Sequence, residues 1–261
     1  MQLKPFTYRN NEQRKVSVSL LYESEHLLAV NKPPGLPVIA DRFQAEPNLR
    51  DLLQAQYERQ QGSEGQAIWV VHRIDADTSG LVLFARTAEM HREMSLLFEH
   101  NQVHKTYLAV TAGAPETDEG EIDLPIGKHS GQKRLMRIDP RGKPSLTRYR
   151  VLERFRHFAC LEMMPQSGRT HQIRVHLQAL GCPLAIDPRY GSGNISIDIS
   201  QIKAGAVHRS ERHPERALIS RLTLHASRVA FKDPLSGREI ALEAPLPKDL
   251  AGLLQALRKW S

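Results

Sequence analysis

Cysteine is scarce in this chain, with Cys160 and Cys182 the only two among 261 residues. Two thiols are too few for a disulfide framework or a structural zinc site, so an apolar core has to hold the fold. Cys160 stands beside Phe158 and Leu161, which predicts a buried free thiol. No segment approaches the roughly 20 consecutive apolar residues of a membrane span. The opening Met1-Gln2-Leu3-Lys4-Pro5 lacks the apolar stretch of a signal peptide, so the reading is a cytoplasmic protein. Nor is this the composition of a disordered chain, at 40% hydrophobic and 25% charged residues. The length accommodates one large domain or two small ones, and no internal repeat is visible.

What is present in excess is positive charge. Lys and Arg number 36 against 29 Asp and Glu, a formal net charge of +7. A basic balance favours an anionic partner, nucleic acid being the commonest. The charge also clusters. Lys128, Lys133, Arg134, Arg137, Arg141, Lys143, Arg148 and Arg150 crowd one stretch; Lys203, Arg209, Arg212, Arg216 and Arg221 crowd another. Solvated loops or strand faces would give the same pattern.

Along the chain, residues 1–20 are polar and weakly patterned and read as an extended arm. Leu27 to Val30 is a strand run halted by Asn31-Lys32-Pro33-Pro34-Gly35, a rigid turn. Asn48 to Gln60 has helical apolar spacing. Ile68 to Val71 and Leu81 to Phe84 are continuous apolar runs of strand length, and the polar loop His72 to Gly80 joins them. Reactive groups are commonly presented by such loops. Thr87 is placed to cap a helix with Met90, Met94, Leu97 and Phe98 on its apolar face, the methionines as core filler. Strands are expected over Val103–Val110, Glu121–Ile126, Arg148–Phe155 and Phe158–Met164. A helix capped by Thr170 should follow, ended by Gly181 and Pro183. Ser192 to Arg216 reads as a mobile loop, Leu222 to Glu243 as a hairpin, and Leu250, Leu253, Leu254 and Leu257 mark a last amphipathic helix. Many strands with few helices predict an α+β fold, a mixed but mainly antiparallel sheet with flanking helices. The expected division is an arm over 1–20, a single domain over 21–246, and a C-terminal helix over 247–261 packed on it.

Several familiar chemistries do not fit. Asp75 and Asp77, two apart, rarely straddle a sugar as glycosidase carboxylates must. Ser79 and His72 lack the Gly-x-Ser-x-Gly context and an oriented base. His100 and His104 have i, i+4 spacing without the Glu of a zinc protease, and Gly191-Ser192-Gly193 lacks the Lys of a phosphate loop.

The segment His72-Arg73-Ile74-Asp75-Ala76-Asp77-Thr78-Ser79-Gly80-Leu81 resembles the catalytic motif of the RluA-like RNA pseudouridine synthases, with Ile74 where Leu is usual. Four further blocks follow the family's order. They are Lys32-Pro33-Pro34-Gly35, Lys105-Thr106-Tyr107, Gly168-Arg169-Thr170-His171-Gln172-Ile173-Arg174-Val175-His176, and Leu224-His225-Ala226. The likeness runs from about Leu21 to Pro245. One such motif arises by chance; five in sequence do not.

This resemblance implies an isomerase that breaks the bond from ribose C1′ to uracil N1 and rejoins the base through C5. No atom is gained or lost, so neither metal nor redox cofactor is required. Asp75 matches the essential aspartate, Arg174 the arginine that keeps it ionised and aimed, and Tyr107 the tyrosine lying against the target base. Ile173 is expected to pack on the uracil, to fill the buried face of its helix, or to do both. Arg73 matches a residue that fills the gap left by an extruded base, unless it pairs with Asp77. His72 is structural or close to phosphate, and Arg169, Lys133 and Arg134 are candidates for RNA contact. Lys128 to Arg150 is expected to form a mobile hairpin gripping phosphates. About 20 residues precede the first matching strand, too few for the S4 domain that relatives often carry. The partner is structured RNA, ribosomal or transfer; no membrane and no obligate protein partner is expected, and the protein should be monomeric. Two rivals remain. A non-catalytic RNA binder would have no use for Asp75, Tyr107 and Arg174 together, and a base-releasing glycosylase would liberate free uracil.

Overall fold

The computed structural model describes residues 4–10, 12–40, 47–61, 67–132, 135–191, 193–204 and 217–261. In chain order the elements are β1 (Phe6–Arg9), β2 (Lys15–Glu23), β3 (Leu27–Lys32), α1 (Leu49–Gln61), β4 (Trp69–Val70), β5 (Ser79–Ala85), α2 (Ala88–Glu99) and β6 (His104–Ala112). Then come β7 (Glu119–Asp123), β8 (Ile126–Lys128), β9 (Met136–Ile138), β10 (Leu146–Arg154), β11 (Phe158–Pro165), α3 (Gln172–Ala179), β12 (Ile197–Asp198) and α4 (Ile199–Ala204). The chain ends with β13 (Ala217–Ile219), β14 (Leu224–Lys232), β15 (Glu239–Glu243) and α5 (Lys248–Trp260). The fold is α+β, as strand-rich patterning predicts. Two compact units are distinguished, Met1–His104 with Ala226–Pro245 and Lys105–His225 with Leu246–Ser261.

In the first unit the stretch expected as an extended arm holds β1 and most of β2. They pair antiparallel from Phe6 with Val18 to Arg9 with Lys15, and β2 continues onto β3. The signal was there: Val16, Val18 and Leu20 alternate with polar residues at the strand period of two. β3 pairs β5 from Leu27 with Ala85 to Lys32 with Gly80. Every residue of β5 is buried, which explains its unbroken apolar run. Leu27, Ala29, Leu81 and Leu83 pack with Met90 and Met94 of α2 and with Val229 and Phe231 of β14. The methionines are core filler. Thr87 caps α2 as expected, its Oγ1 accepting from the Met90 N–H at 3.2 Å. β14 and β15 form the expected hairpin, pairing Arg228 with Glu243 through Lys232 with Glu239.

The second unit is built on β6, β11, β10 and β7, joined by antiparallel ladders. α5 lays Leu250, Leu253, Leu254 and Leu257 against Val110, Phe158, Ile186 and Ile219. Each fully buried leucine contributes on the order of 1.5–3 kcal/mol. Both cysteines are buried free thiols, and burial pushes Cys160 up to about 12 and Cys182 up to about 11. Of the loop expected over Ser192–Arg216, β12 and α4 form regular structure; residues 205–216, with Arg209, Arg212 and Arg216, lie outside the described residues. Among the described residues no helix is long and apolar enough to cross a membrane.

Candidate active site

In the first unit, β4 pairs β5 only at Trp69–Ala85 and Val70–Phe84 before the chain leaves the sheet. The next N–H of β5 is then rescued by a side chain: Leu83 N donates to His72 Nε2 at 2.9 Å. The His72 ring stacks on Phe98 with centroids 4.7 Å apart. His72, expected to be structural or close to phosphate, serves the scaffold through this nitrogen and this ring face. From there the chain forms the loop bearing Asp75. Ile74, Thr78 and Ser79 are buried, Asp75 is half-buried, and Arg73 and Asp77 face solvent. A turn closes beneath Asp75, whose carbonyl accepts from Thr78 N at 3.1 Å. Among the described residues Arg73 has no ion pair with Asp77.

Lys32 is the residue that composition and periodicity overlooked. It is fully buried, and its ammonium donates to the carbonyls of Pro33, Leu36 and Ala76 at 2.9, 2.8 and 2.6 Å. Ala76 O also accepts from Gly35 N at 2.9 Å. The rigid turn and the loop are thus sewn together one residue beyond Asp75. Gly80 ends the loop with φ +114°, where a Cβ would lie 2.2 Å from the Ala226 carbonyl oxygen. Only glycine permits both that conformation and that approach.

In the second unit, Arg174 sits on α3 with 4% exposure. Its Nε donates to Asp187 Oδ2 at 2.7 Å and its Nη2 to Oδ1 at 2.8 Å, a buried bidentate pair. The guanidinium lies 5.0 Å from the centre of the Tyr190 ring. Sequence reading singled out neither Asp187 nor Tyr190, although Asp187-Pro188-Arg189-Tyr190-Gly191 is punctuated as a tight turn. Ile173, 6% exposed, packs with Leu161, Met163 and Leu177, so it fills the buried helix face.

Thr170 is not the cap of α3. His171 occupies that position with φ +56°, and no side chain caps the helix. The Gln172 amide instead ties the helix start to the preceding loop and to β10. Its Oε1 accepts from Ser167 Oγ at 2.7 Å and Arg169 N at 3.1 Å; its Nε2 donates to Leu146 O and to Thr147 Oγ1, both at 3.0 Å. Thr147 Oγ1 lies 2.9 Å from His176 Nδ1, and His176 Nε2 lies 3.0 Å from Leu124 O. A carbonyl only accepts, so Nε2 carries the hydrogen and Nδ1 accepts from Thr147. Burial lowers the His176 pKa, in keeping with this neutral ring.

Tyr107 is half-buried on β6, opposite Met163 of β11. Lys105, two residues earlier on the same strand face, donates to Ser167 O at 3.1 Å, and burial lowers its ammonium to about 8. Arg169 donates through Nε to Pro144 O at 3.3 Å.

The basic stretch does contain a hairpin, β8 pairing β9 from Ile126 with Ile138 to Lys128 with Met136. Lys133 and Arg134 lie outside the described residues. Beyond the hairpin much of the charge is matched: Arg148 meets Glu121 at 2.7 Å, Arg150 meets Glu162 at 2.5 Å, and Arg221 grips Asp249 at 2.7 Å. Within the hairpin segment Arg137 meets Asp139 at 3.0 Å, and Arg141, at 92% side-chain exposure, lies 4.0 Å from the same carboxylate.

Comparison with known proteins gives a consistent result. A family model described as RNA pseudouridylate synthase matches residues 26–179. The ribosomal large subunit pseudouridine synthase D of Nitrosomonas europaea is 37% identical over 250 residues, spanning 96% of this chain and 68% of that protein. The synthase C of Vibrio cholerae, also named for the ribosomal large subunit, is 34% identical over 92% of this chain and 69% of its own length. Among solved structures, human RNA pseudouridylate synthase domain containing 4 superposes with a TM-score of 0.74 and 26% identity, covering 92% of this chain and 93% of the other.

Proposed function

The chain belongs to the RluA-like family of RNA pseudouridine synthases, and from this we propose that it isomerises specific uridines of ribosomal RNA, with Asp75 as the nucleophile toward an extruded base. The enzyme is an isomerase acting within one nucleotide: the C1′–N1 bond breaks, a C1′–C5 bond forms, and the C5 proton moves to N1. Asp75 supplies the carboxylate that stabilises the detached state. Arg174 is the cation that orients that carboxylate. Tyr107 lies against the uracil and accompanies the C5 proton. Extrusion costs a few kcal/mol, and the exposed guanidinium of Arg73, stacked in the vacated space, offsets part of it. Arg169, the β8–β9 hairpin, and Lys133 and Arg134 from the same basic stretch of sequence hold phosphates.

The observation that carries this reading is the loop from His72 to Gly80. Ile74, Thr78 and Ser79 are buried, and His72 and the Ala76 carbonyl are tethered, so the backbone that carries the half-buried Asp75 is held on both sides. The ribosomal assignment rests on the names of the relatives; transfer RNA is the other class the family uses. Both are tested by mapping pseudouridines in ribosomal and transfer RNA from a deletion strain, then restoring them with purified protein. Restoration at a defined ribosomal uridine is expected. Release of free uracil, or restoration by Asp75→Asn protein, would sink the proposal.

A further inference from the structure

Arg174 is held by a turn that the reaction itself does not call for. Asp187 Oδ1 accepts from Arg174 Nη2, and also from Arg189 N at 2.9 Å and Tyr190 N at 3.1 Å, while Oδ2 takes Arg174 Nε. Gly191 N returns to Asp187 O at 3.0 Å, and a Cβ on Gly191 would sit 2.6 Å from that oxygen. The turn places the Tyr190 ring under the guanidinium. At its far end, the Tyr190 hydroxyl accepts from Met136 N of β9 at 2.8 Å and lies 2.7 Å from His171 Nδ1, at the start of the arginine's own helix. The hydroxyl therefore bridges the Met136 N–H of β9 and the His171 ring, either partner of the second bond being able to donate. Asp187 thus fixes the plane of the guanidinium. Tyr190 fixes its height above the helix start, and links both to the hairpin that carries the basic residues.

We propose that Asp187 and Tyr190 are positioning residues of the isomerisation, and that the Tyr190 hydroxyl couples the β8–β9 hairpin to Arg174. This rests on the assignment of Arg174 to the chemistry. A misplacement of about 1 Å at a reacting group can cost on the order of 100-fold in rate.

Tyr190→Phe keeps the ring and removes the two hydroxyl contacts. Asp187→Asn keeps Oδ1 for the turn and sets an N–H against Arg174 Nε. Both are compared with Arg174→Lys in single turnovers on saturating target RNA, with dissociation constants and melting temperatures measured alongside. The expected result is a rate lowered roughly 10-fold by Tyr190→Phe and roughly 100-fold by Asp187→Asn, with RNA affinity unchanged. A full rate in both variants while Arg174→Lys is impaired overturns the proposal. So does a fall in affinity or melting temperature that accounts for the lost rate, which would make these residues scaffolding. A full rate in Arg174→Lys itself overturns the underlying assignment instead.

Discussion

The loop around Asp75 and the helix around Arg174 face the same task, the immobilisation of one charged side chain, and meet it with different chemistry. Around Asp75 the tethers are made to main chain: a buried ammonium collects three carbonyls, and an imidazole accepts a strand N–H. Around Arg174 the tethers are side chain to side chain, a carboxylate and a phenol for the guanidinium and an amide–hydroxyl–imidazole relay for its helix. Main-chain tethering leaves the acid side chain half-buried on a fixed loop. Side-chain tethering buries the cation completely, and each link depends on the identity of its partner. The first device should tolerate change at its charged tip; the second should not.

Substitutions can break that contrast. The largest effect is expected from Asp75→Asn, a loss of isomerisation on the order of 1000-fold or more in single turnovers, with melting temperature and RNA affinity retained. Concurrent unfolding would show that the tip is part of the scaffold after all. Next comes Lys32→Met, which strands buried carbonyls and should lower stability by about 3 kcal/mol in urea unfolding. A stability within about 0.5 kcal/mol of the parent would remove the lysine from the tether. Arg174→Lys cannot reproduce the bidentate geometry and should lose roughly 30-fold in rate together with some stability. Equal stability would bring the two regions closer in kind.

Smaller effects sharpen the picture at the periphery. Charge reversal at Lys133, Arg134 or Arg137 should weaken RNA binding and reduce the slope of log affinity against log salt by about one per lost phosphate contact. An unchanged slope would remove the hairpin from the interface. The least effect should come from His176. Its folded pKa is depressed below the ordinary 6.5 by burial, so the unfolded chain takes up the proton more readily. The stability of its neutral form is complete above that value and declines as the pH falls below it. Melting curves between about pH 7.5 and 5 should therefore show an acid loss that is shallower in His176→Asn.

Much of the Asp75 region was legible beforehand because its signals are local. The apolar runs, the Pro-Pro-Gly turn and the motif glycine all act within a few residues of one another. Residues 1–20 are less legible, since polar residues outnumber the alternating Val16, Val18 and Leu20 that pair with β1 and β3. The α3 region was legible only as a helix and a motif. Thr170 is a good cap by type, yet His171 holds the capping position, and Gln172 anchors the helix start to β10 and to the preceding loop. Ile173 packs in the core as its helical spacing requires.

From the sequence alone came the class of fold, the order of most strands, the absence of a disulfide frame, and the motif that places Asp75 on a loop. These follow from periodicity and from residues whose backbone preferences are felt locally. The tertiary structure alone revealed that Lys32 binds the Asp75 loop, that Asp187 and Tyr190 grip Arg174, and that much of the basic surface is already matched by carboxylates. Each of these is a pairing in space, and in Lys32 with Ala76, Arg174 with Asp187 and Arg148 with Glu121 the partners stand 44, 13 and 27 residues apart. A hydrogen bond depends on distance and direction in the folded molecule, and one-dimensional spacing records neither.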